Sequence, residues 1–240
     1  SSKYLNKPQL GVVQRPKLGQ NSKLRSQTVW VPNLNGSITD MTCGGQASQI
    51  LVGSDQGKIV GFDGRETFFE RSLPVQSHIT ALTYDKETDE LWVGTKNDGL
   101  FLFQGNELKR YDPSNSLVSN HILDLTLDQQ GSLWVGLHGG GLLRYQQGNW
   151  EQFTPQNSDV QYWSIGHLAA DPDQGIWYLP HDDVRSRGLG YFEGNTGQLF
   201  NPPHQILASP SSLLVEPSGV IWVGTWYDGL YKLARENLVQ

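Results

Sequence analysis

Residues 91–103 read LWVGTKNDGLFLF, and the string returns as LWVGLHGGGLLRY at 133–145 and as IWVGTWYDGLYKL at 221–233. Two degraded copies complete the series, ILVGSDQGKIVGF from Ile50 and IWYLPHDDVRSRGLGYF from Ile176. The aligned central positions are Leu51, Trp92, Trp134, Trp177 and Trp222, spaced by 41, 42, 43 and 45 residues. That period is too long for a leucine-rich repeat and has no helical patterning, so each unit should hold four strands.

The unit around Trp92 shows how. His78–Tyr84 is a short extended run before a turn at Asp85–Asp89, and Glu90–Thr95 is the strand centred on the tryptophan. Gly99–Phe103 is nearly all apolar, while Glu107–Tyr111 alternates as a strand at a sheet edge does. Each run is about five residues long and ends in Gly, Asn, Asp or Pro. Inner strands that are apolar on both faces must be covered on both faces, as sheets packed around an axis are. The expected fold class is therefore all-β, a single β-propeller of four-stranded blades.

Blade number follows from the outer strands, which end in Leu73-Pro74, Tyr111-Asp112-Pro113, Phe153-Thr154-Pro155 and Phe200-Asn201-Pro202. The same signature stands ahead of the first repeat as Trp30-Val31-Pro32, whereas the fifth repeat runs out at GLYKLARENLVQ without an outer strand. Five blades are expected over residues 27–240, with residues 27–31 as the N-terminal outer strand that closes the last blade. Residues 1–26 are left as an arm.

The arm is basic. Residues 1–39 carry Lys3, Lys7, Arg15, Lys17, Lys23 and Arg25 and no acid, so the net charge of −6 hides an acidic body from residue 40 onward. An acidic body argues against nucleic acid as the partner. The hydrophobic fraction of 37% supplies a core, and no apolar run is long enough to span a membrane. The opening SSKYLNKPQL has no apolar signal region, which suits a mature form or an excised domain. The single cysteine, Cys43, allows neither an intrachain disulfide nor a cysteine-based zinc site. A monomer is expected.

The LWVGT…DGL core, over roughly residues 37–235, resembles the two-component regulator propeller repeat of bacterial sensor proteins. The resemblance implies an extracytoplasmic propeller that senses ligands, often oligosaccharides, for histidine-kinase hybrids. The chain departs from that pattern in having five units and no immunoglobulin-like connector, membrane span or kinase.

Residues that recur in every unit are structural first. Trp92, Trp134, Trp177 and Trp222 should pack between blades. Gly94, Gly136 and Gly224 mark a close approach of a neighbour, and Gly99, Gly141 and Gly229 suit a turn with positive φ. Asp128-Gln-Gln-Gly131 and Asp171-Pro-Asp-Gln-Gly175 look faintly like calcium loops, but without a downstream bidentate glutamate they read as ordinary turns.

Function should lie where the units differ. The inner strands open at Ser37, His78, His121, Ser164 and Ser209, and three residues on stand Asp40, Ala81, Asp124, His167 and Ser212. Asp40, His78, His121, Asp124 and His167 are thus candidates to line a central channel as a water, ion or ligand site, with Asp124 and His167 able to pair. Ligands spread over blades without HxH or HExxH spacing make no metal site, and no cofactor motif is present. Blade four is irregular: Leu179-Pro180 replaces Gly-Thr, and its next loop grows into His181-Asp182-Asp183-Val184-Arg185-Ser186-Arg187. Tyr162-Trp163, His138 and Trp226-Tyr227 should reach the same face. Rings beside carboxylates and guanidinium groups suit a saccharide or a protein segment. The reading is a non-enzymatic ligand-binding or sensing module. The alternatives are a protein–protein scaffold, or a glycoside hydrolase or lyase using carboxylates in the channel.

Overall fold

The computed structural model describes residues 9–13, 26–31, 34, 36–46, 49–115, 117–181, 188–200, 210–227, 229–235 and 238, with the backbone alone at 9–13 and 26–30. Among these residues the chain is all-β. Strands β1 (Gln9–Val13) and β2 (Ser26–Trp30) precede the first repeat. Blade one holds β3 (Ile38–Cys43), β4 (Ile50–Ser54), β5 (Lys58–Phe62) and β6 (Thr67–Ser72). Blade two holds β7 (Ile79–Asp85), β8 (Glu90–Thr95), β9 (Leu100–Gln104) and β10 (Glu107–Tyr111). Blade three holds β11 (Ile122–Leu127), β12 (Leu133–Leu137), β13 (Gly141–Gln146) and β14 (Asn149–Phe153). Blade four holds β15 (Ile165–Ala170), β16 (Ile176–Pro180), β17 (Leu189–Glu193) and β18 (Thr196–Phe200). Blade five holds β19 (Pro210–Val215), β20 (Val220–Thr225) and β21 (Leu230–Ala234). All neighbours pair antiparallel in chain order, as a five-bladed β-propeller requires.

One expectation needs correction. Ser26–Trp30 is a strand, but it pairs with Gln9–Val13, from Gln9 opposite Trp30 to Val13 opposite Ser26, and not with β21. Among the described residues the sheet of blade five has three strands. The outer-strand signature identified a segment that needs a partner without saying which edge receives it. A hairpin partner close in sequence carries the smaller loop-closure cost.

Blades hold one another through the face that each turns to the next. Trp92, Trp134 and Trp177 are fully buried against the following blade. Trp92 lies with Ile122, Leu125, Leu133 and Leu143 of blade three, and Trp134 with Ile165, Leu168 and Phe192 of blade four. Three of the indoles are tied down by an acid six residues upstream. Trp134 Nε1 donates to Asp128 Oδ2 at 2.8 Å, Trp177 Nε1 to Asp171 Oδ2 at 2.7 Å and Trp222 Nε1 to Glu216 Oε1 at 2.7 Å. The turns with a calcium-loop look are therefore acceptors for tryptophan: Asp128 Oδ1 and Asp171 Oδ1 also take the backbone N–H groups of their own turns. A Cβ on Gly136 would sit 2.5 Å from the Ile165 carbonyl oxygen, and one on Gly94 2.6 Å from Ile122 Cγ2. These glycines are where the next inner strand crosses.

Candidate functional site

Each inner strand carries the same irregularity. Pairing with the second strand slips between Ile38 and Asp40, Ile79 and Ala81, Ile122 and Asp124, Ile165 and His167, and Pro210 and Ser212. The bulge adds one residue and re-aims the side chain after it. In blades one and three that side chain is an aspartate directed at the next blade. Leu82 N–H donates to Asp40 Oδ2 at 2.6 Å, and Leu168 N–H donates to Asp124 Oδ2 at 2.7 Å, while Leu125 N–H donates to Asp124 Oδ1 at 2.8 Å.

Asp40 and Asp124 thus join blade one to two and blade three to four. No hydrogen bond joins Asp124 to His167, so the pairing suggested by the sequence does not form; the neighbouring Leu168 amide is the partner instead. Burial pushes the Asp124 carboxyl up to about 7 against the pull of its two amide donors, and the Asp40 charge adds to the rise. Asp40 moves up for the same reason. His167 moves down, by burial first and by the nearby His181 second.

The histidines gather at the end of the propeller where inner strands begin and second strands finish. The His121 and His138 rings stack with centroids 4.9 Å apart and planes 8° from parallel, and His181 meets His138 edge-on at 6.5 Å. His181 fits because residue 166 is glycine; a Cβ there would lie 2.8 Å from the His181 Cβ. His138 N–H donates to the His121 carbonyl, His181 N–H to that of Ser164, and Gly139 N–H to Ser164 Oγ, which binds the loops of blades three and four together. Trp163 accepts the Gly141 N–H on its carbonyl and leaves its ring exposed, with Tyr162 half-buried beside it. His78 is exposed at the equivalent place of blade two and accepts Lys96 N–H on its carbonyl. Among the described residues no three His, Cys, Asp or Glu side chains gather around a point that could hold an ion.

Blade five adds Trp226 and Tyr227 to this end, 74% and 86% exposed, where blade two has Lys96-Asn97 and blade three His138-Gly139. Asp182, Asp183, Arg185, Arg187 and Ser209 lie outside the described residues. Sequence reasoning missed a cavity of about 500 Å³ at the opposite end, between blades one and two. Phe68, Phe69, Arg71, Tyr84, Asp89 and Asn106 line it. Arg71 lies over the Phe69 ring and donates to Asn106 Oδ1, and Tyr84 donates to Asp89 Oδ1, which with burial raises the phenol to about 12.

The family described as two component regulator propeller matches residues 116–139. No curated protein matches the chain in sequence. Among solved structures, the extracellular domain assigned to a hybrid two component system of B. thetaiotaomicron superposes with a TM-score of 0.67 at 19% identity. The match covers 89% of this chain and 32% of that one, so this chain spans about a third of its length. Virginiamycin B lyase from Staphylococcus aureus gives 0.65 at 13% identity, over 88% of this chain and 74% of that one. YCF48 bound to D1 peptide gives 0.62 at 14% identity, over 88% and 68%. At such identities the likeness is one of fold.

Proposed function

Because the chain is built on the repeat of the two-component regulator propellers, we propose that it is a ligand-binding sensor module working outside the cytoplasm. Its binding surface is the end that carries the histidine cluster, Tyr162-Trp163 and Trp226-Tyr227, and its ligand is a saccharide. The observation that carries this reading is the exposure of Trp226 and Tyr227 at a loop position that is Lys-Asn or His-Gly in other blades. Flat rings stack on the apolar face of a sugar, and imidazoles and carboxylates beside them hydrogen-bond its hydroxyls. Asp182, Asp183, Arg185 and Arg187 follow His181 in sequence and would add such groups. A protein segment would use the same rings as anchors and is the second reading, since a propeller of this fold is known with a bound peptide.

Screening on a glycan array, with Trp163→Ala and Trp226→Ala as controls, tests the assignment. A saccharide that binds the wild type and loses about 1–3 kcal/mol with either variant supports it. Saccharide binding that neither variant weakens moves the site elsewhere, with the cavity lined by Phe68 and Tyr84 as the first place to look. Capture of a peptide with no glycan signal replaces saccharide by protein.

A further inference from the structure

Blade one lacks what its equivalents put between themselves and the next blade. The central tryptophan of blades two to five is Leu51 here. The residue opposite it on the third strand is Leu102, Arg144, Tyr191 or Lys232 in the later blades and Gly61 in blade one. In blades three, four and five the acid that accepts the indole N–H stands two residues beyond the tryptophan's partner on the inner strand. Counted from Thr42, the partner of Leu51, that place in blade one is Gly44. Ring, neighbour and acceptor are all cut back at one point of one blade.

The cavity between blades one and two lies at that point. In blade three the residues that receive Trp92 include Leu127, Leu133 and Tyr145. By register their equivalents in blade two are Tyr84, Leu91 and Phe103, and all three line the cavity together with Leu51. The receiving surface is kept while the ring that it receives elsewhere is missing. Interiors are close-packed, so a gap of about 500 Å³ at a blade contact is a departure, and it has the size of a small-molecule site, roughly 300–1,000 Å³. Both walls belong to complete four-stranded sheets. The rim is charged. Arg71 lies over the Phe69 ring at 5.0 Å and engages two of its five N–H donors, on the Glu70 carbonyl and Asn106 Oδ1. Lys86 also borders the cavity and is exposed. Among the described lining residues the one carboxylate is Asp89, which takes the Tyr84 hydroxyl.

We propose that this cavity binds a small planar aromatic carboxylate. The ring takes the place that an indole fills in the later blades, against Leu51, Leu91 and Phe103, and the carboxylate pairs with Arg71 and Lys86. A guanidinium presents its donors in a fork that matches a carboxylate. A neutral ring would leave both cations unmatched, and a carboxylate without a ring would leave the apolar walls wet. The site lies at the end of the propeller opposite the surface proposed for a saccharide, and it stands independently of that reading.

Calorimetric titration of the whole chain with indoleacetate, phenylacetate and indole tests this. At least one of the two acids should bind saturably at a single site at millimolar concentration or below. Indole, a ring without the carboxylate, should bind about tenfold more weakly or worse. Arg71→Gln should weaken the acid about tenfold and leave indole unchanged. Leu51→Trp gives blade one the residue of its equivalents, and should abolish binding while the melting curve is kept. Trp163→Ala and Trp226→Ala should bind the acid as the wild type does, which separates this site from the saccharide surface. Should Leu51→Trp fail to fold, Arg71→Gln and Lys86→Gln at the rim decide the matter. No saturable binding of either acid overturns the proposal. So does an acid that a folded Leu51→Trp still binds, one that indole equals, or one that neither rim variant weakens.

Discussion

Asp124 shows how much a single residue can hold in a repeat protein. Its carboxylate sits between blades three and four, bound by one amide from each. Its affinity for a proton is raised to about 7, from an ordinary value of 3.8. Between those two values the folded state binds more protons than the unfolded state, so this group makes stability fall as pH rises from about 4 to 7 and level off above. Asp124→Asn keeps an acceptor without the charge. Thermal melts across that range should show the variant gaining on the wild type as pH rises, and a difference that stays constant would contradict the raised affinity. Arg235 makes a second residue-scale test. It joins the end of blade five to the buried Asp171 at 3.0 Å and to Asp173 at 2.7 Å, and lies over the Tyr191 ring. Arg235→Ala leaves the Asp171 carboxylate buried with only its amide and indole donors, and should lower stability by about 1–3 kcal/mol in chemical denaturation.

At the scale of the element, the blade is set by a few positions with different jobs. The central tryptophan fills the gap to the next blade, the glycine two residues later lets the next inner strand cross, and the glycine before the third strand turns the chain. Gly99, Gly141 and Gly229 have φ of +83°, +71° and +87°, as the turn position predicted. Gly136→Val would force a side chain into the Ile165 carbonyl and should destabilise by about 1–3 kcal/mol or more, measured by the midpoint of urea unfolding. Blade four departs at this position, with Leu179 for glycine, and the strand that follows opens on Pro210 where the others open on isoleucine. Such jobs were legible in the sequence because they repeat at a fixed period. The acid six residues before the tryptophan was visible as a turn but not as the indole's acceptor, and the inner-strand bulge and the stacking of His121 on His138 were not legible at all. They are relations between neighbouring strands or blades, and one-dimensional spacing carries no trace of them. Choice of partner for Ser26–Trp30 belongs with these, since pattern marks a strand but not the edge it joins.

For the whole molecule, contacts run from each blade to the next, so stability should grade along the chain. Among the described residues, blades two, three and four are covered on both flanks and blade five on one. Amide hydrogen exchange at low protein concentration should be slowest in β8, β12 and β16 and clearly faster in β20 and β21. Equal protection in β12 and β20 would contradict this gradient. The function-bearing end follows the same logic at a distance from the core: its loops differ between blades because the strands below them do not.

The bulge that opens every inner strand has a consequence for how such a protein can change. Its position is held by the isoleucine, or in blade five the proline, on one side of it and by the strand pairing on the other. The residue just after it is Asp, Ala, Asp, His or Ser without disturbance to either. Each blade is in that respect a socket of constant shape with an interchangeable fitting. New chemistry near the axis can be tried one socket at a time, and only where the fitting is Asp40 or Asp124 does the trial also touch the hold on the next blade.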